Sequence, residues 1–265
     1  MFPNYIGLSA VLLTVLVFFL TDNMVRRLGG LRQVGITAVL ILLAVPGASF
    51  SAYYLHLFPE SEWYYEFRSW RGTEFLVVFI GAAGGAVGAL VNPVVKYIVF
   101  AMVFFAAYAP FCKPIVAPLP KDAFANVEED GIWQQSTPST CGPASTATVL
   151  SLFGKNITEK EVARRAYSYR GGTEAWYLAR VIRDEGLKAE FRFGEGFEPE
   201  FSYPAITGVT VGGIGHFIVI FGPEGDDFVI ADPLKGREVI SPKQLKERYL
   251  FTGFNLQVKQ LAPSS

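Results

Sequence analysis

The sequence predicts an all-α region of four membrane-length helices followed by an α+β domain. Composition is the first reason: 51% of residues are apolar and 18% charged, with a mean hydropathy of +0.32, whereas soluble domains carry about a quarter charged side chains. Charge distribution is the second. Only 7 of the 23 Lys and Arg and 5 of the 24 Asp and Glu fall in residues 1–120, so the two halves face different solvents. The third is element order beyond residue 120, where helix signals precede strand signals.

In the first half, uncharged runs of Leu, Val and Phe mark the expected spans 5–20, 34–58, 75–91 and 93–111. About 20 residues at 1.5 Å each cross roughly 30 Å of hydrocarbon. No basic residue precedes the first run, and no small-x-small pattern separates Leu20 from Asp22, so it reads as a span rather than a signal peptide. Asn92-Pro93 divides the last two spans, and Lys96 sits near enough to an end to reach headgroups. Gly81, Gly84, Gly85 and Gly88 recur at small-x-x-x-small spacing, which suits close helix packing within the chain or in a transmembrane homo-oligomer. Trp63, Tyr64, Tyr65 and Trp70 read as an interfacial aromatic belt.

Arg26, Arg27 and Arg32 between the first two spans favour a cytoplasmic loop, and Glu60, Glu62 and Glu66 mark the next as outside. Four spans then place the C-terminal domain outside the cell. Arg68, Arg71, Lys113 and Lys121 on that side nearly balance the count.

Residues 1–112 thus form the membrane region, 113–129 a proline-bearing connector expected to break the helix, and 130–265 one compact domain. Within that domain Gly142-Pro143 opens a helix that stops at Gly154. Thr158 with Glu161 caps a second, Thr173 a third that ends at Gly186, and Ser241-Pro242 starts a fourth. Strands are expected at 187–193, 204–210, 216–221, 228–231 and 254–258. A turn at Pro223 to Asp226 pairs two of these antiparallel, so His216 and Asp232 come to the same sheet end.

A thiol attacks as thiolate, and a helix N-terminus beside an imidazolium lowers its pKa. Cys141 stands where a helix begins, and His216 is the only histidine of the domain. Asp232 can orient that imidazole, with Asp226 and Asp227 as rivals in the hairpin turn. Gln135 can donate to an oxyanion together with the Cys141 N–H, with Gln134 the alternative one position away. Each of these residues alone has a commoner structural use; together they form nucleophile, base, orienter and oxyanion donor. Gly212, Gly213 and Gly215 before the histidine suit either a tight loop or close approach of a substrate backbone.

The string from Gln135 through Cys141-Gly142-Pro143-Ala144, then Gly215-His216-Phe217-Ile218-Val219, then Asp232-Pro233 with Gly236, resembles the bacteriocin-processing cysteine peptidases. These are papain-like domains that remove double-glycine leader peptides. The resemblance covers residues 130–261 and implies Cys141 as nucleophile, His216 as base, Asp232 as orienter and Gln135 as oxyanion donor. Together with the four spans it implies a multi-pass protein of a bacterial cell membrane acting on a peptide or protein substrate. The best-known relatives carry the peptidase ahead of six spans and a nucleotide-binding domain. Here it follows four spans, and no GxxxxGK[ST] loop points to ATP. A net charge of -1 argues against nucleic acid. Two Cys and two His supply too few ligands for a zinc finger, and no cofactor is expected. The alternatives are a transferase, in which an amine intercepts the thioester, and a peptide-binding module coupled to the helices.

Overall fold

The computed structural model describes residues 3–197 and 201–261. Helices α1 (Tyr5–Arg26), α2 (Gly30–Tyr54), α3 (Glu62–Ser69), α4 (Val77–Leu90) and α5 (Pro93–Val116) come first. They are followed by β1 (Glu128–Glu129), β2 (Ile132–Trp133), α6 (Cys141–Leu152), α7 (Glu159–Arg165) and α8 (Ala175–Asp184). The remaining elements are β3 (Leu187–Phe193), β4 (Ala205–Val211), β5 (Ile214–Glu224), β6 (Asp227–Asp232), β7 (Gly236–Ile240), α9 (Pro242–Arg248) and β8 (Leu250–Gln260). The chain forms two compact units. One holds Pro3–Pro59 and Arg71–Val116, the other Glu60–Trp70 together with the chain from Ala117 onward.

In the first unit, α1, α2, α5 and the helical stretch Thr73–Leu90 are long and apolar enough to cross a membrane. Large apolar side chains point outward along them, among them Leu12, Leu42, Val94 and Met102, each more than 65% exposed. Such a surface needs an apolar solvent. α5 continues through Pro110 and Pro114 to Val116, past the expected helix end. A proline deletes one N–H, and helices of this apolar class accommodate that loss.

α4 lies backbone to backbone on α1. A Cβ added to Gly81 would stand 2.3 Å from Thr14 O, and one on Gly85 2.1 Å from Phe18 O. Gly84 faces Val103, and Gly88 faces Lys96 and Phe18, so all four glycines meet partners within the chain. Lys96, expected to reach for headgroups, instead pairs with Asp22 at 2.6 Å, as Arg26 does at 2.8 Å. Arg26 also donates to Gly88 O at 2.6 Å, joining α1 to α4.

The second unit is built on a six-stranded antiparallel sheet in the order β3-β8-β4-β5-β6-β7. β7, and the small β1-β2 ladder, lie outside the strands expected from sequence. Ser241 and Gln244 form a reciprocal capping box on α9, and Thr158 Oγ1 accepts from Glu161 N at the start of α7. Thr173 does not cap α8: Glu174 precedes that helix, and Thr173 Oγ1 bonds Ser168 Oγ at 2.6 Å.

α3 belongs to this unit although it is encoded between two membrane-length helices. β3 is an edge strand, and its outward N–H groups need acceptors. Glu66 Oε1 accepts from Phe191 N at 3.3 Å and Glu62 Oε1 from Phe193 N at 3.2 Å. The spacing explains the fit: four helical residues rise about 6 Å and two strand residues about 7 Å. Arg180 donates to the carbonyls of Arg68, Ser69 and Trp70 at 2.7–2.9 Å, satisfying the end of α3. Tyr65 packs edge-on to Trp176, Phe191 and Phe193 with ring centroids 5.1–5.5 Å apart. Tyr64 and Tyr65 are therefore buried, while Trp63 and Trp70 stay exposed.

Candidate active site

Cys141 is the first residue of α6 and is buried, as are the residues through Leu150. Gly142 keeps the helix close to its neighbours: a Cβ there would stand 3.0 Å from Leu178 Cδ1 and 3.4 Å from Phe217 Cδ2. Ser145 Oγ donates to Phe217 O at 3.1 Å, tying α6 to the strand residue that follows His216.

His216 lies on β5, paired across from Val209 of β4. Asp232 ends β6, and the β5-β6 register, Val219 opposite Ala231, returns it to the same end of the sheet as His216. His216 Nε2 and Asp232 Oδ1 are 2.8 Å apart, with both residues buried. This leaves Nδ1 for the thiol side, and Cys141 is near enough to the imidazole to favour its charged form. The rivals Asp226 and Asp227 sit at the far end of β6, about 17 Å of strand away.

Three donors hold the Asp232 carboxylate. Besides His216, Leu234 N donates to Oδ1 at 2.9 Å and Tyr249 OH to Oδ2 at 2.7 Å. Burial opposes ionisation of Asp232, but these bonds outweigh it and hold the group below the usual carboxylate range. Burial likewise opposes the imidazolium of His216. The hydrogen bonds and charges of Asp232 and Cys141 more than offset that and push His216 up from 6.5 to about 9. Burial, and next the Asp232 bond, raise the Tyr249 phenol far above its usual range, so it remains a donor.

Gln135 N donates to Pro233 O at 3.0 Å, anchoring the segment before Cys141 beside the Asp232 corner. Its side-chain Nε2 donates to Thr137 O at 2.8 Å, and among the described residues its buried Oε1 has no partner. Gln134 instead lines a separate hollow with Glu129, Asp130 and Lys235.

Cys141 and His216 open onto a cleft of about 510 Å³ whose walls include Trp176, Gly208, Gly215 and Phe217. Gly212 and Gly213, both with positive φ, make the turn between β4 and β5, whereas Gly215 faces the cleft with open space at its Cβ position. Glu60 and Tyr65 also line the cleft, and neither they nor Tyr249 were expected from sequence as site residues. No local signal marks them: Tyr249 is 17 residues from Asp232, and Tyr65 lies in another part of the chain.

A helix-start thiol, a buried imidazole and a carboxylate behind it, at the edge of a peptide-sized cleft on an α+β scaffold, define the cysteine-peptidase class. The peptidase C39 family pattern matches residues 130–261. Through this half the chain belongs to the peptidase C39 family. An uncharacterised protein of Methanothermobacter thermautotrophicus is 32% identical over 135 residues, 50% of this chain and 90% of that one. The lactococcin-G-processing and transport ATP-binding protein LagD of Lactococcus lactis is 28% identical over 110 residues, 40% of this chain and 16% of that one. Among solved structures, a double-glycine-motif protease of an AMS/PCAT transporter, in complex with its leader peptide, is 28% identical with a TM-score of 0.43. It spans 49% of this chain and 91% of its own.

Proposed function

We propose that the protein is a membrane-anchored cysteine peptidase with Cys141 as nucleophile, His216 as base, Asp232 as orienter and Gln135 as oxyanion donor. The observation that carries this is the buried 2.8 Å His216–Asp232 bond, with Cys141 beside the free ring nitrogen and a cleft open to both. The Cys141 sulfur adds to the scissile carbonyl while its proton resides on His216. Collapse of the tetrahedral intermediate breaks the C–N bond, and His216 delivers the proton to the leaving amine. Water then attacks the thioester, giving the acid and restoring the thiol. Gln135 serves the oxyanion once Nε2 turns from Thr137 O to the reacting oxygen, jointly with the Cys141 N–H.

The double-glycine leader class that the motif resemblance implies is the proposed substrate, a relative being described as lactococcin-G-processing, and the open wall at Gly215 supports passage of a small-residue backbone. Membrane anchoring is supported by chain parity. Residues 60–70 fold with the domain that follows Ala117, so both lie on one side, as the even number of crossings between them requires. The arginines of the α1-α2 turn favour the outside for that domain.

The test is hydrolysis of a glycine-glycine reporter peptide by the detergent-solubilised full chain. Cys141→Ala and His216→Ala abolish turnover, and Gln135→Ala lowers kcat by about a hundredfold. Turnover surviving either of the first two changes refutes the assignment.

A further inference from the structure

The chain leading into Cys141 is held by a carboxylate outside the catalytic set. Glu159, the first residue of α7, is fully buried, and among the described residues no Lys, Arg or His pairs with it. A carboxylate buried without a cation is costly unless hydrogen bonds satisfy it. One residue satisfies both oxygens: Ser136 N donates to Oε1 at 2.8 Å, and Ser136 Oγ donates to Oε2. Ser136 Oγ in turn accepts from Ala125 N at 2.9 Å. Ser136 follows Gln135 directly, so the clamp acts on the backbone of that glutamine. A peptide group is planar, and fixing its N–H fixes the whole unit. The peptide before the Gln135 Cα is fixed by the bond from Gln135 N to Pro233 O, and the peptide after it by the bond from Ser136 N to Glu159. With both planes held, the direction of the Gln135 Cα–Cβ bond is set and only side-chain torsions remain. The amide itself shows that a hold is needed. Among the described residues its buried Oε1 has no partner, a state that a looser loop would relieve by turning the amide elsewhere.

We propose that Glu159 is a positioning residue: through Ser136 it holds the Gln135 backbone where Nε2 can turn from Thr137 O to the reacting oxygen. The inference rests on the reading of Gln135 as oxyanion donor. Glu159 acts through Ser136 and needs no contact with substrate. An oxyanion donor works only where its N–H meets the developing charge, at about 2.7–3.1 Å. Misplacement by about 1 Å loses up to about a hundredfold in rate. Gln135 has two backbone anchors, and releasing one of them loses about tenfold.

The experiment measures kcat and KM of the detergent-solubilised full chain on the glycine-glycine reporter peptide. The variants are Glu159→Ala, Glu159→Gln and Ser136→Ala, each alone and combined with Gln135→Ala. Glu159→Ala lowers kcat about tenfold and leaves KM within about twofold of wild type, because ground-state binding does not use the oxyanion donor. Glu159→Gln keeps an acceptor for Ser136 N and restores most of kcat. Ser136→Ala keeps the N–H, loses the O–H and lowers kcat about threefold; it makes the same comparison if Glu159→Ala does not fold. In the Gln135→Ala background none of the three lowers kcat further, since the group they position is gone. A residue that only stabilised the fold would lower activity equally in both backgrounds. Equal losses in both backgrounds overturn the proposal alone. So does kcat within about twofold of wild type in both Glu159→Ala and Ser136→Ala while Gln135→Ala is about a hundredfold down. Undiminished kcat in Gln135→Ala, or a wild-type chain without turnover, defeats the underlying reading and the proposal with it.

Discussion

The proton on His216 ties the stability of the C-terminal unit to pH, and the size of that coupling follows from the structure. In the folded chain the group titrates at about 9, against an ordinary value of 6.5. Below about pH 6.5 folded and unfolded chains both carry the proton, and the contribution to stability is complete. Between about 6.5 and 9 only the folded chain holds it, so unfolding free energy falls by about 1.4 kcal/mol per pH unit. Above about pH 9 neither state is protonated and the contribution, about 3 kcal/mol in all, is gone. Asp232 has the opposite sign: its lowered pKa stabilises above the ordinary carboxylate value and fails only in acid, so it is flat across this window. The assay is denaturant unfolding in detergent, followed by tryptophan fluorescence, at pH values from about 6 to about 10, for wild type and His216→Gln. The wild-type excess slope lies between 6.5 and 9, and it flattens in Cys141→Ala, which removes one of the partners that raise the imidazole. Parallel wild-type and His216→Gln profiles across that window refute the ion-pair account.

Two further changes probe the supports of the site. Tyr249→Phe keeps a buried ring but strips the 2.7 Å donor from Asp232 Oδ2. A lost bond to a buried charge costs about 1.5–3 kcal/mol, and Asp232 then titrates higher, shifting the acid limb of kcat/KM upward while KM changes little; an unmoved acid limb contradicts the role. Gly85→Val forces a side chain onto Phe18 O, where even a Cβ would stand at 2.1 Å. The α1-α4 packing opens, and thermal denaturation of the solubilised chain shifts down by several degrees; an unchanged midpoint contradicts the close approach.

The thiol, imidazole and carboxylate were legible in the sequence because each was nearly forced. Residues 121–265 hold one histidine, a Gly-Pro pair after Cys141 fixes where a helix starts, and a hairpin turn fixes which strand ends meet. Local punctuation carried that information. It failed where a competing partner lay close by, as at Thr173, whose hydroxyl turns to Ser168 rather than to the start of α8. It failed again at Pro114, because the rule that proline ends a helix assumes water as the solvent for the freed carbonyl.

The loss of α3 has a different cause. An eight-residue segment rich in Trp and Tyr between two apolar helices has the same composition whether it floats at a membrane surface or docks on a protein. The deciding partners, Arg180, Arg183, Phe191 and Phe193, lie 110 or more residues away, where no local periodicity reaches. What distinguishes the two outcomes is a pairing, Glu62 and Glu66 one helical turn apart against alternate N–H groups of an edge strand. Such a match becomes visible only once the strand is known to be an edge. Cleft walls borrowed from distant sequence are for this reason the part of a site most readily missed when the catalytic residues are read from their motifs, and here the borrowed segment brings Glu60 and Tyr65 to the cleft of Cys141 and His216.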